Sequence, residues 1–389
     1  VLSDVGRDVA PAPAAGPPRP KRFVSLDVFR GVTIAGMLLV NNPGTWSSIH
    51  PPLEHAEWHG WTPTDLIFPF FLFIVGVAMT FSFGKLLDAG VGRGALMGKV
   101  VKRAAILFAL GLLLHAFPNY LDLSGLRIPG VLQRIAFAYL AASVVVLFTG
   151  LRAQIAITAG LLIGYWALET LVPIPGVGAG ALEPGRDLSA WLDRLIFGEA
   201  HLWTQTTTWD PEGLLSTIPA VATALTGVFA GYWLRSARSP ADRLVGLFLA
   251  GNAGLLLGLI WGAWFPINKN LWTSSYVLFT AGMACHFLAV CYWLVDVRGY
   301  RRWSKPFVIF GMNAIAAFFL SSLLARIITL VRVPAGAETV PLKAFVFERA
   351  FAPYFADPAN ASLAFALGYV LLWLGLMTVL YKRRIFIKV

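Results

Sequence analysis

The densest cluster of residues able to do chemistry is NNPGTWSSIHPPLEHAEWHGWTPTD, which gathers Asn41, Asn42, His50, Glu54, His55, Glu57, His59, Thr64 and Asp65. Imidazoles are the only groups here whose unperturbed pKa lies near neutrality, so they suit proton transfer or nucleophilic attack. The same histidines also fit a wet interface beside Trp46 and Trp58, and both readings stay open on the residues alone. His55 and His59 stand four apart, but EHAEWH is not HExxH and no third ligand has suitable spacing. No metal is expected.

Two further clusters are polar where the surroundings are apolar. RIPGVLQR carries Arg127, Gln133 and Arg134, and a guanidinium at depth needs a carboxylate, for which Asp65 is the candidate. Such a pair would either lock two helices together or take part in the chemistry. WDPEGLLST and INKNLWTSSY bring Asp210, Glu212, Asn268, Lys269 and Asn270 beside Trp209 and Trp272. Carboxylates, amides and aromatic faces together suit a sugar, whose hydroxyls need polar partners and whose C–H faces stack on rings. Interfacial tryptophans would look the same.

The elements that must position these groups are membrane helices. Of 389 residues, 57% are hydrophobic and only 13% charged, about half the charge of a soluble domain. Apolar runs at 28–44, 64–84, 100–117, 130–149, 153–173, 214–235, 244–265, 272–295, 306–330 and 361–381 read as about ten spans in an all-α, polytopic integral membrane protein. Sorting the loops by side places 22 of the 31 Lys and Arg residues in one set, together with both ends of the chain. Both termini are therefore expected in the cytoplasm. The net charge of +11 then reflects membrane orientation, and no nucleic-acid partner is expected beyond the lipid bilayer.

Residues 1–22 read as a disordered cytoplasmic tail, with no secretory signal, and 23–389 as one transmembrane domain. The long stretches 45–63, 174–213 and 331–360 then all lie outside, where loops of that length point to binding. Cys285 and Cys291 are six apart on one apolar run, which disfavours a disulfide or a metal pair. On the cytoplasmic side Arg30, Lys99, Lys102 and Arg103 could receive phosphates. Asn313, about two turns into the ninth span, could face another helix or a central pocket.

In order along the chain, RFVSLDVFRGVTIAGMLLVN, HAEWHGWTPTDLIFPFFLFIVG, RIPGVLQRIAFAYL, WDPEGLLSTI, PINKNLWTSSYVL and PFVIFGMNAI resemble the successive motifs of the heparan-alpha-glucosaminide N-acetyltransferase family. The resemblance runs over residues 22–315 and is closest to the bacterial branch, some members of which are called NagX. It implies transfer of acetyl from cytoplasmic acetyl-CoA to the amino group of a glucosamine on the far side, in the cytoplasmic (inner) membrane of a bacterium. It also implies a chain without the extra amino-terminal helix and lumenal domain of the lysosomal enzyme, and a homodimer. The family's active-site histidine falls on His55 and its helix-ending asparagine on Asn41, although the stretch between them is a few residues longer here.

An amine attacking a thioester needs a base and an oxyanion donor. His55 is expected as base or acetyl carrier, Asn41 as amide donor or thioester anchor, and Asp65 as the carboxylate that orients the imidazole. The coenzyme's pantetheine arm would thread a channel from Arg30, Lys99, Lys102, Arg103 and Asn313 toward His55. The sugar would be met by Asp210, Glu212, Asn268, Lys269, Asn270 and Arg134. An aminosugar transporter, or an acyltransferase acting on envelope sugar hydroxyls, would use many of the same groups.

Overall fold

A computed structural model describes residues 23–120, 122–336 and 338–387. The expected tail over 1–22 lies outside the described residues. Thirteen α-helices lie among the described residues: α1 (Val24–Val40), α2 (Ile67–Asp88), α3 (Arg93–Ala116), α4 (Val131–Phe148), α5 (Leu151–Leu171), α6 (Leu188–Phe197), α7 (Thr217–Arg235), α8 (Pro240–Gly262), α9 (Ser274–Tyr292), α10 (Lys305–Met312), α11 (Ala314–Leu330), α12 (Leu342–Ala350) and α13 (Pro358–Lys382). One antiparallel hairpin, β1 (Arg332–Ala335) with β2 (Glu338–Pro341), departs from the all-α expectation. Its register pairs Arg332 with Pro341 and Ala335 with Glu338.

Seven helices are long and apolar enough to cross a membrane, and α10 with α11 makes an eighth if the bent pair is one span. These two do not form the continuous helix expected over 306–330. They meet at 83° around Asn313, whose φ of −126° and ψ of 38° interrupt the helix. The first helix starts earlier than expected, at Val24, because Asp27 and Arg30 pair within the bundle at 3.4 Å and do not mark its edge.

Burial sorts the long helices into two layers. The most apolar windows of α2 and α7 are each 67% buried, against 17% for α8. Hence α2 and α7 form the centre, and α8, with α5 and α13, presents most of its surface to the outside of the bundle. At the centre Gly76 and Gly227 let two backbones meet. A Cβ on Gly76 would stand 1.9 Å from the Ala224 carbonyl oxygen, and one on Gly227 would stand 2.0 Å from that of Phe73.

The start of α1 and the end of α13 line one cavity, so both ends of the described chain meet at one end of the bundle, called basal here. At the opposite, distal end the stretch 45–63 touches each of the other two long stretches. The Trp58 indole N–H donates to the Leu182 carbonyl at 2.7 Å, Lys343 lies over the Trp46 ring, and Gly44 N–H donates to the Ser362 carbonyl at 3.2 Å. Helix α13 ends in paired bonds from Ile385 N–H to Leu380 O and from Arg384 N–H to Tyr381 O. That closure needs a left-handed residue, usually glycine, and Arg384 takes the position at φ 56°, a conformation costing about 1–2 kcal/mol for an L residue.

Candidate active site

The turn into α2 is built by Thr62-Pro63-Thr64-Asp65. Thr62 and Asp65 form a reciprocal capping box, and Pro63 occupies the first turn, where its missing N–H costs nothing. The Asp65 Oδ2 atom accepts from the N–H groups of Thr62 (2.9 Å) and Ala56 (3.0 Å). Its Oδ1 lies 2.6 Å from His55 Nδ1. The Tyr276 hydroxyl donates to the Asp65 carbonyl at 2.5 Å, fixing this turn against α9. Asp65 is thereby locked from three sides.

The side chain of Asp65 is 1% exposed and that of His55 is 46% exposed. A carboxylate held at Nδ1 favours the proton there and leaves a lone pair on Nε2, the arrangement required of a general base or nucleophile. Nearby, the Asn268 amide lies 3.3 Å from His59 Nδ1, and Gly60 N–H donates to the Ile267 carbonyl at 2.7 Å. Partial burial lowers the His59 pKa, against the opposing pull of Glu183. Lys269 stands close enough for its charge to act on both Asp65 and Glu212.

The carboxylate expected for Arg134 is not Asp65, whose oxygens are already engaged. Arg134 instead donates to the Gly213 carbonyl at 3.2 Å and to the Ser216 hydroxyl, with its guanidinium 5.0 Å from the centre of the Trp272 ring. Asp210 and Glu212 also have a partner that sequence spacing does not reveal. Arg127 grips Asp210 with two nitrogens (2.8 and 2.6 Å) and Glu212 with one (2.7 Å). Burial works against the Glu212 carboxylate, yet Arg127, Lys269 and Arg134 outweigh it and hold its pKa below the usual range. The Trp203 ring covers the Arg127 guanidinium at 5.5 Å.

Asn41 ends α1 and lines a distal cavity of about 210 Å³ with Asn42, Ser321, Ser322 and Arg326. His55 is not in that lining. A basal cavity of about 410 Å³ is lined by Arg30, Arg103, Tyr139 and Ala314, among others. Of the basic candidates, Arg30 and Arg103 face this space, and Lys99 and Lys102 are exposed outside it. Asn313 is 1% exposed and its amide is bonded to the backbone of residues 385 and 387, so it points into no central pocket. Asn268 is fully buried and braces its own turn by accepting from Leu271 N–H, and Asn270 is half-buried beside it.

Among the described residues no group of three or more His, Cys, Asp or Glu is placed to hold a metal ion, and Cys285 and Cys291 are buried as free thiols. Sequence reasoning missed Arg326 and the edge-to-face contact of Trp58 with Trp209 at 5.0 Å. A lone arginine late in an apolar run was the available signal for the former.

Comparison with known proteins gives the lineage. The family model described as "Heparan-alpha-glucosaminide N-acetyltransferase, catalytic" matches residues 22–244. The human protein named heparan-alpha-glucosaminide N-acetyltransferase is 32% identical over 369 residues, covering 80% of this chain and 54% of that protein. The mouse protein of the same name is 32% identical over 355 residues, covering 76% and 53%. The chain thus spans about half the length of these relatives. With its long apolar helices and this match across most of its length, the chain is a multi-pass membrane protein belonging to the heparan-alpha-glucosaminide N-acetyltransferase family.

Proposed function

We propose that the protein is a transmembrane N-acetyltransferase that takes acetyl from acetyl-CoA at its basal, cytoplasmic end and delivers it to the amino group of a glucosamine-type sugar at its distal end. The observation that carries this reading is the His55–Asp65 pair, an exposed imidazole oriented by a buried carboxylate. The two cavities on the α1–α11 seam support it. Arg30 and Ala314 line the basal one, and Asn41 and Arg326 line the distal one. From Asp27 to Asn41 the α1 helix rises about 20 Å, a distance suited to an extended pantetheine arm.

In this reading the amine nitrogen attacks the thioester carbonyl carbon, the C–S bond breaks, and coenzyme A leaves as the thiol. His55 Nε2 accepts the proton lost by the amine and returns it to the departing sulfur. Asp65 stabilises the imidazolium formed between those steps. Asn41 supplies an amide N–H to the carbonyl oxygen as it gains charge. Arg30 and Arg103 face the donor's entry. Lys269 and Asn270 meet the sugar, and the largely buried, ion-paired Arg127, Asp210 and Glu212, with the buried Asn268 and Arg134, brace that surface from behind.

The test is to incubate purified protein with acetyl-CoA and glucosamine and follow thiol release together with N-acetylglucosamine. His55→Ala should abolish both. Near-normal turnover in that variant would remove His55 from the site, and thiol release only with a hydroxyl acceptor would indicate an O-acyltransferase. Parallel-line kinetics with a labelled His55 would show that the imidazole carries the acetyl group itself.

A further inference from the structure

The distal cavity is formed by one face of α11 against the end of α1. Phe318, Ser322 and Arg326 follow one another at intervals of four, with Ser321 and Ala325 beside them, and line the same space as Met37, Leu38, Asn41 and Asn42. Some of its polar groups are already committed. The Asn42 amide donates to the Leu38 carbonyl at 2.8 Å and the Ser321 hydroxyl to that of Phe318 at 2.9 Å, each to its own backbone one turn earlier. Three others are not. Among the described residues the side chains of Asn41, Ser322 and Arg326 have no hydrogen-bond partner, and all three line this one space.

Arg326 is a cation without a counter-charge. It is half-buried one turn before α11 ends at Leu330, and among the described residues the one charged side chain that acts on it is Arg127, which repels it. An arginine that served only to anchor a helix end would turn outward to water or pair with an acid. Here it lines the α1–α11 seam beside two neutral donors, the Asn41 amide and the Ser322 hydroxyl. A partly desolvated cation facing open space gains most from a negative charge brought into that space. Acetyl transfer creates such a charge for a moment, on the carbonyl oxygen, when the amine has added and the sulfur has not yet left. A neutral thioester brings none, so the gain is confined to the transition state, where binding energy speeds a reaction.

We infer that Arg326 donates to the carbonyl oxygen of the thioester together with Asn41 and is a catalytic residue of the acetyl transfer. The inference rests on the acetyltransferase reading and on the place given there to Asn41. As the amine nitrogen bonds to the carbonyl carbon, the π electrons of the C=O bond pass to oxygen, which the guanidinium and the amide hold. They return to re-form C=O as the C–S bond breaks, and the thiol leaves with the proton relayed by His55. Arg326 stays protonated throughout.

Steady-state kinetics of the purified full chain with acetyl-CoA and glucosamine test this role. Arg326→Gln should lower kcat about 10²–10³-fold, the usual cost of one oxyanion donor, with KM for both substrates within about threefold. Its melting temperature in detergent should match that of the wild type, because Arg326 has no protein partner to lose. Arg326→Ala should show the same loss and regain about tenfold in kcat when millimolar guanidinium is added, whereas His55→Ala should gain nothing from it. Near-normal kcat in Arg326→Gln, beside a wild type that makes N-acetylglucosamine, would overturn the inference and leave the acetyltransferase standing. So would a raised acceptor KM with kcat spared, which would make Arg326 the seat of an acidic group on the sugar. If thiol is released only with a hydroxyl acceptor, the N-acetyl reading falls while the same oxyanion forms, and loss of that release in Arg326→Gln would uphold the inference. A wild type that releases no thiol with any acceptor would sink both.

Discussion

Asp65 holds His55 Nδ1 at 2.6 Å with one oxygen and caps the start of α2 with the other, accepting from Thr62 and Ala56 N–H. One carboxylate sets both a helix terminus and an imidazole tautomer. Asp65→Asn keeps the size of the side chain but offers an N–H where His55 needs an acceptor, so the ring is driven to the wrong tautomer. The expected loss in kcat is about 10²–10⁴-fold with KM for both substrates within a few-fold. Steady-state kinetics in detergent or vesicles measures it; an unchanged kcat would mean that Asp65 serves the helix alone.

Arg127 binds two carboxylates that arrive from beyond α6, and all three groups are largely buried. Removing one member strands charge where water cannot reach it. Arg127→Met should therefore lower stability by about 3–5 kcal/mol, seen as a fall in the detergent melting temperature. The triple replacement with Asp210→Asn and Glu212→Gln should recover part of that loss. A triple variant less stable than the single would show that the pair contributes more than mutual neutralisation.

Asp193 gives a pH dependence of definite sign. Burial, reinforced by the charge of Asp210 and opposed by the Leu214 N–H bond and by Arg134, pushes its carboxyl from 3.8 to about 7. The folded protein then keeps a proton that the unfolded chain releases above about pH 4. Stability accordingly falls as pH rises from about 4 to about 7 and levels off above that, by at most about 4 kcal/mol from this group. Asp193→Asn should melt higher than the wild type at pH 7.5 and match it near pH 4. Parallel melting curves for the two proteins across that range would contradict the assignment.

The α2–α7 contact admits no side chain at Gly227, since an added Cβ meets the Phe73 carbonyl oxygen at 2.0 Å. Gly227→Ala should cost about 1–3 kcal/mol, measured by thermal unfolding. The same change at Gly164, on outward-facing α5 with open space around it, should be close to neutral.

What could be read from the chain divides along physical lines. Apolar length alone locates the helical segments; the pairing of Asp65 with His55 is expected from the resemblance that marks His55 and from the base such chemistry needs, and the Thr62–Asp65 cap brings the two together across ten positions. The Arg127–Asp210 clamp joins groups 83 positions apart, and nothing in either segment names the other. Arg134 was assigned to the wrong partner because charge balance favoured a carboxylate, whereas a carbonyl, a hydroxyl and an indole face hold it. The break at Asn313 escaped notice because asparagine disrupts a helix only weakly. The bend is held by its bonds to Ile385 and Ile387, which are tertiary contacts.

The bonds from Asn313 to residues 385 and 387 also impose an order on assembly. Val24 and Asp27 are made well before Phe386 and Ile387, yet they wall the same pair of cavities. A nascent chain arrested after α11 would have inserted most of its helices and still lack this wall. That wall is thus completed only after the segment beyond α13 has been made and packed.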